Sequence, residues 1–179
     1  MLSNNSDFTL DLAFNPALDS DLDDLLDESL VHLLTHSQPW QSYLETWIQM
    51  IRSDINLTCP IVVREASNLS LGLQFTDDLT IADMNNIWRN INLETDVLSF
   101  PIIDSHIPVP EINCIELGDI VVSVTTAKRQ ANEMGHGLDM ELKWLVSHGL
   151  LHLLGWDHPN SNSLKRMLNC QEELILRNN

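Results

Sequence analysis

Basic residues are scarce in this chain: 179 residues hold 9 Lys and Arg against 26 Asp and Glu, a formal net charge of −17. That excludes a histone-like or polybasic protein held to nucleic acid by bulk positive field. It also excludes docking on an anionic membrane, because the whole-molecule field repels such a surface. The deficit is uneven, with ten acids and a single base, Arg52, in residues 1–60. Cysteine is scarce too. Cys59, Cys114 and Cys170 are odd in number, far apart and without a CxxC pair, which excludes a disulfide framework or a thiolate zinc knuckle. They read as reduced core thiols. No apolar run approaches the ~20 residues of a membrane-spanning helix. Residues 1–11 carry no base and no long apolar core, so they do not read as a signal peptide. No internal repeat or low-complexity tract appears. A cytoplasmic protein is expected, and the composition, 44% hydrophobic and 20% charged, suits one globular domain over residues 1–179.

Periodicity places the elements. Residues 8–14 alternate apolar and polar as a short strand does. Leu18, Leu22, Leu25, Leu26, Leu30 and Leu33 follow helical spacing inside an acidic run, which predicts an acidic amphipathic helix. A second helix is expected over 39–53, with Trp40, Tyr43, Leu44, Trp47, Ile48 and Ile51 on one broad face. Residues 56–67 offer only a weak pattern. Strands are expected at 69–75, 97–103 and 115–124, the last interrupted by Gly118-Asp119. Helices are expected from about Thr80 to Ile91, from Thr125 or Thr126 to about Gly135, over 138–154 and over 162–177. Pro101, Pro108 and Pro110 mark an irregular loop. The expected class is α+β (mixed α/β), a small four-stranded sheet with five or six helices.

The informative stretch runs from Ser147 to Pro159. His148 and His152 lie one helical turn apart, so both imidazoles project from one face. Gly155 can take the left-handed conformation that ends a helix, and His158 comes three residues later. The surrounding leucines turn the two helical histidines inward, where unpartnered imidazoles are costly. Three neutral imidazoles leave one tetrahedral position open, the arrangement of a catalytic zinc site with one ion per chain. His32, His36, His106 and His136 lack such spacing and read as ordinary polar residues.

The HxxxHxxGxxH pattern resembles the three-histidine motif of metzincin proteases, except that Gly149 stands where they carry a glutamate base. With Leu151-His152-Leu153-Leu154-Gly155-Trp156-Asp157-His158, it resembles the YbeY family of zinc-dependent endoribonucleases, which typically has Tyr at the place of Trp156. Asn85 through Trp88-Arg89, the segment Thr95-Asp96-Val97-Leu98-Ser99-Phe100-Pro101, and Leu117-Gly118-Asp119-Ile120 carry the likeness further, over about residues 69–175. Residues 15–60 read as an acidic helical elaboration outside it.

The resemblance implies a metzincin-like zinc site in a mostly parallel sheet fold. It implies single-strand RNA cleavage in 16S rRNA 3′-end maturation and ribosome quality control. The implied partners are rRNA precursor and the small ribosomal subunit or its assembly factors, with no membrane and no DNA. Zinc on His148, His152 and His158 would lower the pKa of a water toward ~7, and Arg89, matching the family's functionally important arginine, would bind the scissile phosphate. A surface ion pair with Glu94 is the ordinary alternative for Arg89. Asp157 is expected to orient a histidine, and Asp119 and Ser99 to shape the cleft. Arg64, Lys128, Arg129, Lys143, Lys165 and Arg166 are expected to add positive charge near it. A zinc peptidase using another base and a non-catalytic ribosome-assembly adaptor are the competing readings.

Overall fold

The computed structural model describes residues 8–17, 27–103 and 114–177. Four strands form one sheet in the order β1-β2-β4-β3. Strands β1 (Thr9–Asn15), β2 (Asn68–Thr76) and β4 (Ile115–Ser123) are mutually parallel, and β3 (Val97–Pro101) runs antiparallel along β4. Among the described residues there are seven helices: α1 (Glu28–Thr35), α2 (Ser37–Ser53), α3 (Ile61–Glu65), α4 (Asp78–Arg89), α5 (Val124–Met134), α6 (Leu138–Leu153) and α7 (Ser161–Leu176). The mixed, mostly parallel sheet is as expected, with one helix more than expected. The extra one is α3, a five-residue turn started by Pro60, whose β-branched sequence hides it from periodicity. Its Arg64 donates to the carbonyls of Ile51 and Asp54, so this cation closes the end of α2.

Alternation decides which sheet face is covered. Leu69, Leu71, Leu73 and Phe75 of β2 are buried in the main core, together with the apolar face of α2 and most of α6. Each deeply buried tryptophan of α2 has a partner for its indole N–H, the Leu33 carbonyl at 2.7 Å for Trp40 and the Leu174 carbonyl at 2.9 Å for Trp47. Region 28–53 is therefore built into the main core. Among the described residues only α4 covers the other face, through a small cluster of Ile81, Leu98 and Val121 with Met84 and Phe100 against it. Two cap expectations shift. Asp77, not Thr80, caps α4, and Ser123, not Thr125 or Thr126, caps α5. In each case the extended residue at the strand end places its side-chain oxygen on the third N–H beyond it. The interruption at Gly118-Asp119 is a bulge, Leu117 and Gly118 opposing Leu71 alone. Gly118 sits at φ +122, and a Cβ there would fall 2.0 Å from the Phe100 carbonyl oxygen.

The first two turns of the expected acidic helix, and the loop holding His106, Pro108 and Pro110, lie outside the described residues. Leu30 and Leu33 of that expected helix fall in α1, which Asp27 caps. No helix among the described residues is long and apolar enough to cross a membrane.

Candidate metal centre

Helix α6 is buried along nearly its whole length between β4, α5 and α7. Its C-terminal turn delivers His148 and His152 side by side. The helix then stops in a Schellman arrangement: Gly155 N–H donates to the His152 carbonyl at 3.0 Å and Trp156 N–H to the Leu151 carbonyl at 3.0 Å, with Gly155 at φ +85. The chain folds back, Trp156 anchors itself by donating its indole N–H to the Thr58 carbonyl at 2.8 Å, and His158 returns to the other two histidines. One ring nitrogen from each of the three lies within 4.8 Å of the others, and all three residues are half-buried. The expected turn glycine and the expected triad are thus brought together.

Hydrogen bonds settle the tautomers. His152 Nδ1 lies 2.9 Å from the Trp156 carbonyl, which can only accept, so Nδ1 carries the proton. His148 Nδ1 lies 3.1 Å from Gln171 Oε1, whose amide nitrogen is committed to the Trp144 carbonyl at 3.1 Å. Both Nε2 atoms are then bare lone pairs, and they face each other at 3.1 Å. Two lone pairs at that distance repel unless a cation lies between them. A tetrahedral ion with bonds of about 2.0–2.1 Å spaces its nitrogens at about 3.4 Å, so the donor set suits a divalent metal of the zinc type. Burial, above all, holds His148 and His152 below the ordinary imidazole value, and the neighbouring histidines push the same way. Both are therefore kept in the neutral form that binds metal.

The cleft around them has a volume of about 520 Å³ and is lined also by Arg89, Asp96, Ser99 and Asp157. Arg89, the last residue of α4, is the one cation among its described lining residues. Arg64, Lys128, Arg129, Lys143, Lys165 and Arg166 do not line it. Arg129 instead lies 3.5 Å from both Asp78 and Glu94, so Glu94, the alternative ion-pair partner considered for Arg89, pairs with Arg129. Asp157 does not orient a ring. Its Oδ1 accepts the His158 backbone N–H at 2.7 Å and shapes the turn. Gln171 and the Trp156 carbonyl do the orienting, and no spacing rule points to either. Ser99 is in the cleft as expected, whereas Asp119 lies on the opposite face of the sheet in a separate groove. The glycine at 149 has a steric cause: a Cβ there would fall 2.7 Å from Ile120 Cγ2, where α6 presses on β4.

The family model described as Endoribonuclease YbeY matches residues 32–179. An Endoribonuclease YbeY of Prochlorococcus marinus (strain MIT 9313) is 57% identical over 166 residues, 93% of this chain and 89% of the relative. One of Synechococcus sp. (strain CC9605) is 52% identical, covering 94% of this chain and 96% of its own. Among solved structures, the solution structure of TM1509 from Thermotoga maritima aligns with a TM-score of 0.55 at 19% identity, over 92% of this chain and 87% of that one, a likeness of fold.

Proposed function

The chain belongs to the YbeY family of endoribonucleases, and from that premise we propose that it is a single-strand-specific, zinc-dependent endoribonuclease of 16S rRNA 3′-end maturation and ribosome quality control. Its partners in this reading are rRNA precursor and the small subunit or its assembly factors, in the cytoplasm. Residues 1–179 act as one hydrolase domain in this reading, and 32–60 of the acidic region belong to the family's own extent rather than to an added elaboration.

One observation carries the proposal: two bare imidazole nitrogens 3.1 Å apart share a cleft with an arginine. His148, His152 and His158 hold the ion. Zinc held there would supply Lewis acidity, lowering the pKa of a water toward ~7 and polarising a phosphoryl oxygen. Arg89 grips the scissile phosphate with its guanidinium fork and meets the charge that gathers on it during cleavage. Gln171 and the Trp156 carbonyl hold the two helical rings in register for that work. Peptide hydrolysis by the metzincin route is disfavoured, because it needs a carboxylate where Gly149 packs against Ile120.

The test is incubation of the full-length protein with rRNA precursor, with and without chelator, beside Arg89→Ala. Chelator-sensitive cutting that Arg89→Ala loses while keeping its metal supports the reading. Proteolysis of casein without RNA cleavage favours a peptidase. Full rescue of a deletion strain by folded His158→Ala favours a non-catalytic adaptor.

A further inference from the structure

The last turn of α4 points in two directions. Arg89 lines the metal cleft, while Trp88, roughly 100° around the helix, lines a groove on the other side of β3. The strand divides the two spaces by alternation: Val97, Ser99 and Pro101 face the metal cleft and Phe100 faces the groove. The Trp88 ring leans on Phe100 with centroids 5.8 Å apart at 60°, yet 69% of the residue is exposed. That is unusual company for this protein. Trp40 and Trp47 are fully buried, Trp156 is buried and Trp144 half-buried. Of the five tryptophans Trp88 is the one left largely in water, and it stands at the rim of the metal cleft.

We propose that Trp88, backed by Phe100, is a stacking platform for an unpaired base of the RNA whose phosphate Arg89 holds. The proposal rests on the endoribonuclease reading and names a subsite for its substrate. The groove has about 590 Å³, room for a nucleobase. Its floor carries Gln74 and the Asp119 carboxylate, which lies over Gly72 so closely that a Cβ there would meet Asp119 Oδ1 at 2.0 Å. A carboxylate on the floor repels a phosphate but not a neutral ring, so the base enters the groove and the backbone stays on the Arg89 side. The net charge of −17 sharpens the point. With one cation among the described cleft residues, phosphate contacts supply little affinity, and stacking on an exposed aromatic supplies affinity without positive charge.

The experiment uses the full-length, metal-loaded protein and a single-stranded 2′-O-methyl oligonucleotide of about ten nucleotides, read by tryptophan fluorescence, with KM for a cleavable single-stranded RNA measured in parallel. Wild type should be quenched, because Trp88 is the exposed indole. Trp88→Ala should abolish the quench, weaken binding about 5- to 100-fold and raise KM by a similar factor. Trp88→Phe should restore most of the affinity, since any aromatic face stacks. The slope of log affinity against log salt should stay unchanged in Trp88→Ala and shrink in Arg89→Ala. Unchanged affinity and KM in Trp88→Ala overturn the platform and leave the nuclease reading intact. Loss of binding to ribosomal protein fractions with RNA affinity unchanged also overturns it, in favour of a protein contact. A quench and an affinity loss in a protein that cuts no RNA keep the platform and overturn the nuclease reading instead.

Discussion

Gln171, on α7, sets its Oε1 3.1 Å from Nδ1 of His148, on α6, from a position with no solvent exposure at all. The contact joins residues 23 apart in sequence, and it decides which nitrogen of His148 is free for a metal. Replacing Gln171 by Leu keeps the volume and removes the acceptor. The ring then loses its orientation, and zinc affinity should fall about 10- to 100-fold. Competition with a chromogenic chelator measures this, with circular dichroism showing that the fold is kept. Unchanged affinity would mean that Gln171 only fills space.

The three histidines and Arg89 should separate cleanly under mutation. His152→Ala should drop metal content from about one ion per chain to near zero, since two imidazoles hold zinc weakly. Arg89→Ala should leave metal content alone and lower kcat/KM for RNA about 100- to 1000-fold, the usual cost of removing one donor from a developing oxyanion. Metal analysis and a gel-based cleavage assay check the two limbs together. Loss of metal from Arg89→Ala would contradict the division of roles.

How much could be read from the chain beforehand depended on how local the signal is. The alternation of Leu69, Leu71, Leu73 and Phe75 and the one-turn spacing of His148 and His152 are properties of a few neighbouring residues, and they suffice to place the strand and the helix. The same holds for the turn at Gly155. Gln171 and the Trp156 carbonyl were not legible, because what qualifies them is arrival at a ring after the chain has packed. Asp119 falls outside the cleft for a related reason: the bulge at Leu117 and Gly118 shifts the register, and one residue of shift exchanges the faces of a strand. The cap residues moved by two or three positions, since Thr80 and Thr126 are acceptable caps by type, while the chain bends into the helix earlier, at Asp77 and Ser123.

The depressed pKa values of His148 and His152 have a sign that can be worked through. Each group binds its proton more weakly when folded than in the unfolded chain, whose value is near 6.5. Below that pH the unfolded state takes up more protons, so stability is full above about 6.5 and is lost as pH falls through the lowered folded values. Metal-stripped protein should therefore show a lower urea midpoint at pH 5.5 than at pH 7.5. In the Gln171→Leu protein His148 loses the bond that favours its protonated form, so the drop should be larger. A flat midpoint across this range would show that the buried rings do not differ from free imidazole.

Gly149→Glu would complete the HExxH sequence of a metzincin, and it should yield a misfolded protein rather than a protease. The reason is local: even a methyl at 149 would sit 2.7 Å from Ile120 Cγ2, so α6 must move off β4, carrying His148 and His152 with it. Gly149→Ala alone should cost about 1–3 kcal/mol by overpacking, and Ile120→Ala alone about 2–5 kcal/mol by leaving a cavity. If the clash is the cause, the double variant Gly149→Ala/Ile120→Ala should be more stable than the sum of the two losses predicts, because the new methyl fills part of the space that Ile120 vacates. Urea unfolding of the three proteins measures the coupling. Strict additivity would show that glycine is present at 149 for some reason other than the close approach of α6 to the sheet.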